Sequence, residues 1–114
     1  MTNFNLKNCL KLFITASCFL FAMSSTAQNF RILLTNDDGI ESPLLISLAQ
    51  ALSKLSNIEV VVSAPSENQS GSSHSSIGAP LTVRQVDIEG ITEAYSVSGR
   101  PADAVRFGLK EVGK

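Results

Sequence analysis

The sequence predicts an α/β fold built on a parallel sheet, and three observations carry that prediction. Two apolar runs, Phe30–Leu34 and Ile58–Val62, are continuous rather than alternating, and each ends in turn residues, as strands buried on both faces do. Between them Leu44, Leu45, Leu48, Ala49, Leu52 and Leu55 recur at helical spacing and form one apolar stripe. Strand, helix and strand follow within about 33 residues, a βαβ unit whose strands pair in parallel through a right-handed crossover.

Each element has local reasons. The first strand stops at Thr35-Asn36-Asp37-Asp38-Gly39, a run of turn formers. Ser42-Pro43 supplies an N-cap and a first-turn proline, so the helix is expected over about 43–55, with Asn57 helping to end it. The second strand closes at Ser63-Ala64-Pro65. Residues 66–79 hold six serines and two glycines and almost nothing to bury. Such a tract reads as a flexible surface loop. It also begins at the carboxyl end of a parallel strand, the edge where open α/β sheets bind ligands. Pro80–Ile88 and Ala94–Val97 are expected to pair as a hairpin across the turn at Glu89-Gly90. Ser98-Gly99-Arg100-Pro101-Ala102-Asp103 opens a last helix, with Ala102, Val105, Leu109 and Val112 as its expected buried stripe and Asp103 at its positive end.

The first 27 residues differ from the rest. Lys7 and Lys11 are the only charges before Arg31, Leu12–Met23 is apolar except for Thr15 and Ser17, and Ser25 and Ala27 are small. A basic segment, a short apolar core and a small-residue site describe a secretory signal peptide cleaved after Ala27. The apolar core is shorter than the roughly 20 residues a spanning helix needs. An uncleaved membrane anchor and a lipoprotein site at Cys18 are the competing readings. Export implies a secreted or periplasmic protein with no stable membrane span after cleavage.

Removing 27 residues from the 114 leaves 87, with a net charge of −3 against −1 for the whole chain. Neither value suggests a nucleic-acid polymer as partner. Hydrophobic residues make up 44% of the chain and charged ones 17%, which excludes disorder. Both cysteines, Cys9 and Cys18, lie in the leader. The mature chain therefore excludes a disulfide framework, a thiolate zinc site and a cysteine nucleophile.

The chemistry concentrates at the sheet edge. Asp37 and Asp38 are adjacent carboxylates, which repel unless a cation or protons intervene. They read either as an ordinary capping turn or as ligands of a hard divalent ion. Ser70-Gly71-Ser72-Ser73 offers hydroxyls and amides that can form a nest for phosphate. A cation on the acidic pair facing that loop would make a phosphate site. His74, the only histidine, reads as a solvated loop residue, a phosphate ligand or a general acid.

Four motifs in order, Arg31-Ile-Leu-Leu-Thr-Asn-Asp-Asp-Gly-Ile40, Val61-Val-Ser-Ala-Pro-Ser-Glu-Asn-Gln-Ser-Gly71, Pro80-Leu81 and Tyr95-Ser-Val-Ser-Gly-Arg-Pro-Ala-Asp-Ala-Val105, resemble the survival protein SurE family of metal-dependent nucleoside monophosphate phosphatases. The resemblance implies a Rossmann-like three-layer αβα sandwich. It also implies hydrolysis of nucleoside 5′- or 3′-monophosphates, an acid-phosphatase-like phosphomonoesterase reaction, with one Mn²⁺ or Mg²⁺. It places metal ligands at Asp37, Asp38 and Ser70, and assigns Asn36 and Gly39 to the signature turn. With Ser70 and Gly71 these form the expected substrate and phosphate contacts, and the catalytic set is Asp37, Asp38 and His74. Full-length members would assemble as homodimers or homotetramers.

Arg100 replaces the family's usual threonine and Ala104 its usual cysteine. The family's fourth ligand is an asparagine in a loop after the last helix read here. The expectation is therefore that residues 28–114 form the N-terminal part of a truncated domain, and a catalytically incomplete phosphate-binding remnant is the alternative function. A phosphoacceptor signalling domain also carries an acidic pair after its first strand, but Asp87, the nearest further acidic residue, lies in an amphipathic stretch and not at a buried strand end.

Overall fold

The structure is a computed structural model that describes residues 28–114; the expected leader at 1–27 lies outside the described residues. Six elements follow in order: β1 (Phe30–Leu34), α1 (Pro43–Ser53), β2 (Ile58–Pro65), β3 (Val83–Gln85), β4 (Glu93–Val97) and α2 (Pro101–Val112). They form one four-stranded sheet in the order β1-β2-β4-β3. β1 pairs in parallel with β2 from Phe30 opposite Ile58 to Leu34 opposite Val62. β4 continues the parallel sheet on the other side of β2, and β3 returns antiparallel to β4.

The period of two along β2 sorts its side chains between the two helices. Val60, Val62 and Ala64 join Leu45 and Ala49 of α1, with Ile40, Ile88, Ile91 and Ala94, in one buried cluster. Ser63 faces the other way and donates its hydroxyl to the Ala104 carbonyl of α2 at 2.8 Å. Helix, sheet and helix thus make the expected three-layer αβα arrangement.

The helix stripes differ from the sequence expectation. On α1 Leu45 and Ala49 are buried, with Ile46 and Leu52 packed against the same cluster, while Leu44 and Leu48, and Leu55 just past the helix, are exposed. On α2 the buried face is Asp103, Ala104 and Gly108, not the expected Ala102, Val105, Leu109 and Val112; Leu109 is 59% exposed. Gly108 explains the rotation. A Cβ there would lie 2.5 Å from Leu33 Cδ1 and 2.9 Å from Ser63 Cβ, so the helix approaches the sheet along its smallest residues. Beside that contact Phe107 meets Tyr95 edge to face at 5.1 Å.

The hairpin forms as expected, though its first strand is shorter than Pro80–Ile88. Pro80 has no N–H to give, and the ladder beyond Val83 is finished by Ser98, whose hydroxyl accepts from the Thr82 amide at 2.7 Å. At the opposite edge Arg31 donates to the Glu111 and Val112 carbonyls, both at 3.0 Å, and pairs with Glu93 at 2.7 Å. A cation on the last carbonyls of α2 ties that helix to β1.

Candidate metal and phosphate site

The turn after β1 is closed by its own asparagine. Asn36 Nδ2 donates to the Gly39 carbonyl at 3.0 Å, and the Gly39 amide returns a bond to Asn36 Oδ1 at 3.2 Å. Gly39 has φ +102°, a conformation that disfavours any side chain. A Cβ on it would also lie 3.1 Å from the Glu67 carbonyl carbon, so the turn packs directly on the loop after β2. Asp37 and Asp38 are left exposed at the carboxyl end of β1.

Two bonds join that turn to the serine loop. The Gln69 amide donates to the Asp37 carbonyl at 2.7 Å. Asn68 Nδ2 donates to Asp38 Oδ1 at 3.2 Å, while Asn68 Oδ1 accepts from the Ser70 amide at 2.9 Å. The Asp37 carbonyl, the Asp38 carboxylate and the Ser70 amide are thereby tied to one loop, and Asn68 is the connection that sequence reasoning missed. Its signal was available in Asn68-Gln-Ser70, an Asx turn in which the side chain caps the amide two residues on. The Ser70 amide is engaged by this turn and not free for an anion; the Gly71 amide has no acceptor among the described residues.

The donor set fits a hard divalent cation. All of its atoms are oxygens, and neither Asp37 nor Asp38 forms an ion pair among the described residues. The buried hydroxyls of Thr35 and Ser72, one residue before the turn and two after Ser70, also have no hydrogen-bond partner there. Among the described residues no three His, Cys, Asp or Glu side chains cluster. His74 follows Ser73, which has φ +52°; it is exposed and makes no hydrogen bond to a described residue.

The far end of the loop is fastened to α2. Asp103 is 1% exposed, and its carboxylate accepts from the Ser76 hydroxyl, from the Ile77 amide at 3.0 Å and from the Arg100 amide at 3.1 Å. The Ser76 hydroxyl is the main reason this carboxyl is held below the usual carboxylate range; burial opposes the shift, and the two amides and Arg106 add to it. Arg100 stands at the N-cap of α2, and Asp103 accepts from its amide from inside the first turn. The Arg100 guanidinium reaches the loop as well, donating to the Ser75 hydroxyl.

Known proteins resemble this chain in sequence. The model of the survival protein SurE family matches residues 32–114. A protein of Clostridium beijerinckii named 5′-nucleotidase SurE is 49% identical over 80 residues, covering 68% of this chain and 31% of the relative. Proteins of the same name from Clostridium botulinum strains Loch Maree and Eklund 17B are 50% identical over 82 residues and 47% over 85; they cover 71% and 73% of this chain but 32% and 33% of their own lengths. The chain thus spans about a third of the length of the curated relatives it matches.

Proposed function

The chain belongs to the survival protein SurE family, and from that premise we propose that it carries the metal and phosphate half of a nucleotidase that hydrolyses nucleoside 5′-monophosphates to nucleoside and phosphate. The observation that supports this most is the Asp38–Asn68–Ser70 linkage, which joins the acidic turn to the serine loop at one sheet edge. The relatives' name, 5′-nucleotidase SurE, agrees with it. Nucleoside 3′-monophosphates are the further substrates of this reading.

Asp37, Asp38 and the Ser70 hydroxyl would hold one Mn²⁺ or Mg²⁺, which supplies Lewis-acid neutralisation of phosphoryl charge. The protein's own residues do the rest. Asn36 and Gly39 fix the turn so that both carboxylates face outward together. Asn68 orients Asp38 and sets the loop's start, and Asp103 sets its end. The Gly71 amide and the Ser72 hydroxyl would bind phosphoryl oxygens. His74 would give a proton to the departing ribose oxygen.

Purified residues 28–114 with Mn²⁺ should release phosphate from AMP and GMP, and Asp37→Asn should abolish the release. The chain spans about a third of the length of the relatives it matches, which favours a second reading as a binding remnant. Mn²⁺ and inorganic phosphate bound without turnover in any metal would select that reading. We also propose that the protein is exported. N-terminal sequencing of the secreted form should begin at Gln28, and an intact Met1 on a membrane-bound form would overturn cleavage.

A further inference from the structure

We propose, independently of the nucleotidase reading, that the open edge of β1 is an interface with a second copy of this chain. The two β1 strands pair antiparallel and join two four-stranded sheets into one. Among the described residues β1 pairs with β2 alone and ends the sheet. The Phe30 amide donates to the Asn57 carbonyl at 2.8 Å, on the β2 side. Main-chain groups alternate in direction along a strand. Phe30, Ile32 and Leu34 therefore turn theirs to β2, and Arg31 and Leu33 turn theirs to the open edge. Natural edges are blunted by proline, lysine, a bulge or a covering element. β1 has no proline or lysine, and it pairs with β2 residue for residue without a bulge. Its only charge, Arg31, is held by Glu59, Glu93 and the last carbonyls of α2.

The apolar flanks of both helices lie along the same edge. Residues two apart on a helix stand about 200° apart round its axis. On α1, Gln50 faces the hairpin and donates to the Glu89 carbonyl at 3.2 Å, so Leu48, and Leu44 one turn before it, lie on the β1 side. On α2, Phe107 meets Tyr95 of β4, so Val105 and Leu109 lie on the β1 side. Phe30, Leu44, Leu48, Leu55 and Leu109 are all half or more exposed. A two-fold axis through Ile32, perpendicular to the sheet, sets the α1 flanks of two copies together on one face and the α2 flanks together on the other. That contact is isologous, apolar against apolar. The same axis puts Arg31 opposite Leu33 of the second copy, so the residues that face the edge exchange both main-chain bonds. A register centred on Arg31 would oppose like charges, and one centred on Leu33 would leave Arg31 outside the ladder. Burying the five side chains in both copies removes on the order of 600 Å² of apolar surface. That is about half of the roughly 1,200 Å² at which stable interfaces begin, the usual apolar share, and the strand edges supply polar area.

Sedimentation equilibrium of the full chain should show a monomer–dimer equilibrium with a Kd of about 10 μM or tighter. Leu48→Lys and Leu109→Lys change exposed side chains on opposite faces of the sheet, so both variants keep the fold. Each should weaken the dimer at least about tenfold, because the two-fold axis puts the new charge into the apolar contact twice. Hydrogen exchange distinguishes this edge from any other contact. The Arg31 and Leu33 amides should be protected in the wild-type dimer and exchange fast in the monomeric variants, while Ile32 and Leu34 stay slow in both. A wild type that stays monomeric up to about 1 mM would overturn the interface. So would a dimer that neither lysine variant weakens, or fast exchange at Arg31 and Leu33 within the dimer. Monomers that sediment with phosphatidylglycerol vesicles and never pair would assign the leucines to a lipid surface and overturn it as well.

Discussion

Asn68 donates to the Asp38 carboxylate at 3.2 Å with one end of its amide and accepts from the Ser70 backbone at 2.9 Å with the other. One side chain therefore fixes the distance between two residues that come from the ends of different strands. Partners that orient a ligand typically change metal affinity 10–100-fold when removed, an order of magnitude that applies here. Asn68→Ala is expected to weaken Mn²⁺ binding about tenfold. Because the bonds are exposed, unfolding free energy should change by less than about 1 kcal/mol. Isothermal titration with Mn²⁺ and urea denaturation measure the two separately, and equal affinities in the two proteins would refute the orienting role.

The glycine of the signature turn predicts a contrast. Gly39 and Gly71 both have positive φ, +102° and +83°. A Cβ at Gly39 would lie 3.1 Å from the Glu67 backbone, whereas one at Gly71 would have nothing within 4 Å. Strain alone costs about 1 kcal/mol or somewhat more. Gly71→Ala should cost that amount, and Gly39→Ala should exceed it by about 1–3 kcal/mol because backbone must move. Gly39→Ala should also displace Asp37 and Asp38 from the loop and weaken Mn²⁺ binding. Denaturant midpoints compared at equal m-values check the order of the two.

Much of this was legible before the structure. The β1 and β2 runs, the Asn36–Gly39 turn and the βαβ order follow from apolar runs and turn formers, which act locally. The α2 face was not legible, because Gly108 carries no hydropathy signal and its role is set by Leu33 and Ser63 across the interface. Asp103 read as a charge favouring a helix N-terminus; that it is buried and ties down Ser76 and Ile77 depends on a fold that returns the loop over α2. Asp37, Asp38 and Ser70 were legible as residue types, and Asn68-Gln-Ser70 as a turn, whereas the bond from Asn68 to Asp38 depends on the fold that brings the two loops together.

Asp103 predicts a pH dependence. Its folded carboxyl titrates below the ordinary value of 3.8, chiefly through Ser76. A depressed pKa adds stability that is fully present above the unfolded value and is lost as pH falls through the folded one. Wild-type stability should therefore drop, as pH falls from about 5 through the ordinary value of 3.8 and the lower folded one, more steeply than that of Asp103→Asn. At neutral pH the variant should be less stable by about 1–3 kcal/mol, since it weakens bonds to a buried charged acceptor. Urea titrations across the acid range measure both slopes, and parallel slopes would refute the assignment.

The exposed acidic pair predicts opposite effects of one substitution on two states. Without metal, Asp37 and Asp38 are adjacent like charges with no ion-pair partner among the described residues. Asp37→Asn removes that repulsion and keeps the shape of the side chain. The metal-free variant should therefore be as stable as the wild type or slightly more so, by no more than about 1 kcal/mol for an exposed pair. With Mn²⁺ the order reverses. A ligand that binds only the folded state stabilises it by about 2.7 kcal/mol at a hundredfold excess over Kd. The wild type should gain that much and Asp37→Asn should gain little, and EDTA should return the wild type to its metal-free midpoint. Melting curves of both proteins with Mn²⁺ and with EDTA make the four comparisons. Equal stabilisation of the two by Mn²⁺ would show that Asp37 is a turn residue and not a ligand.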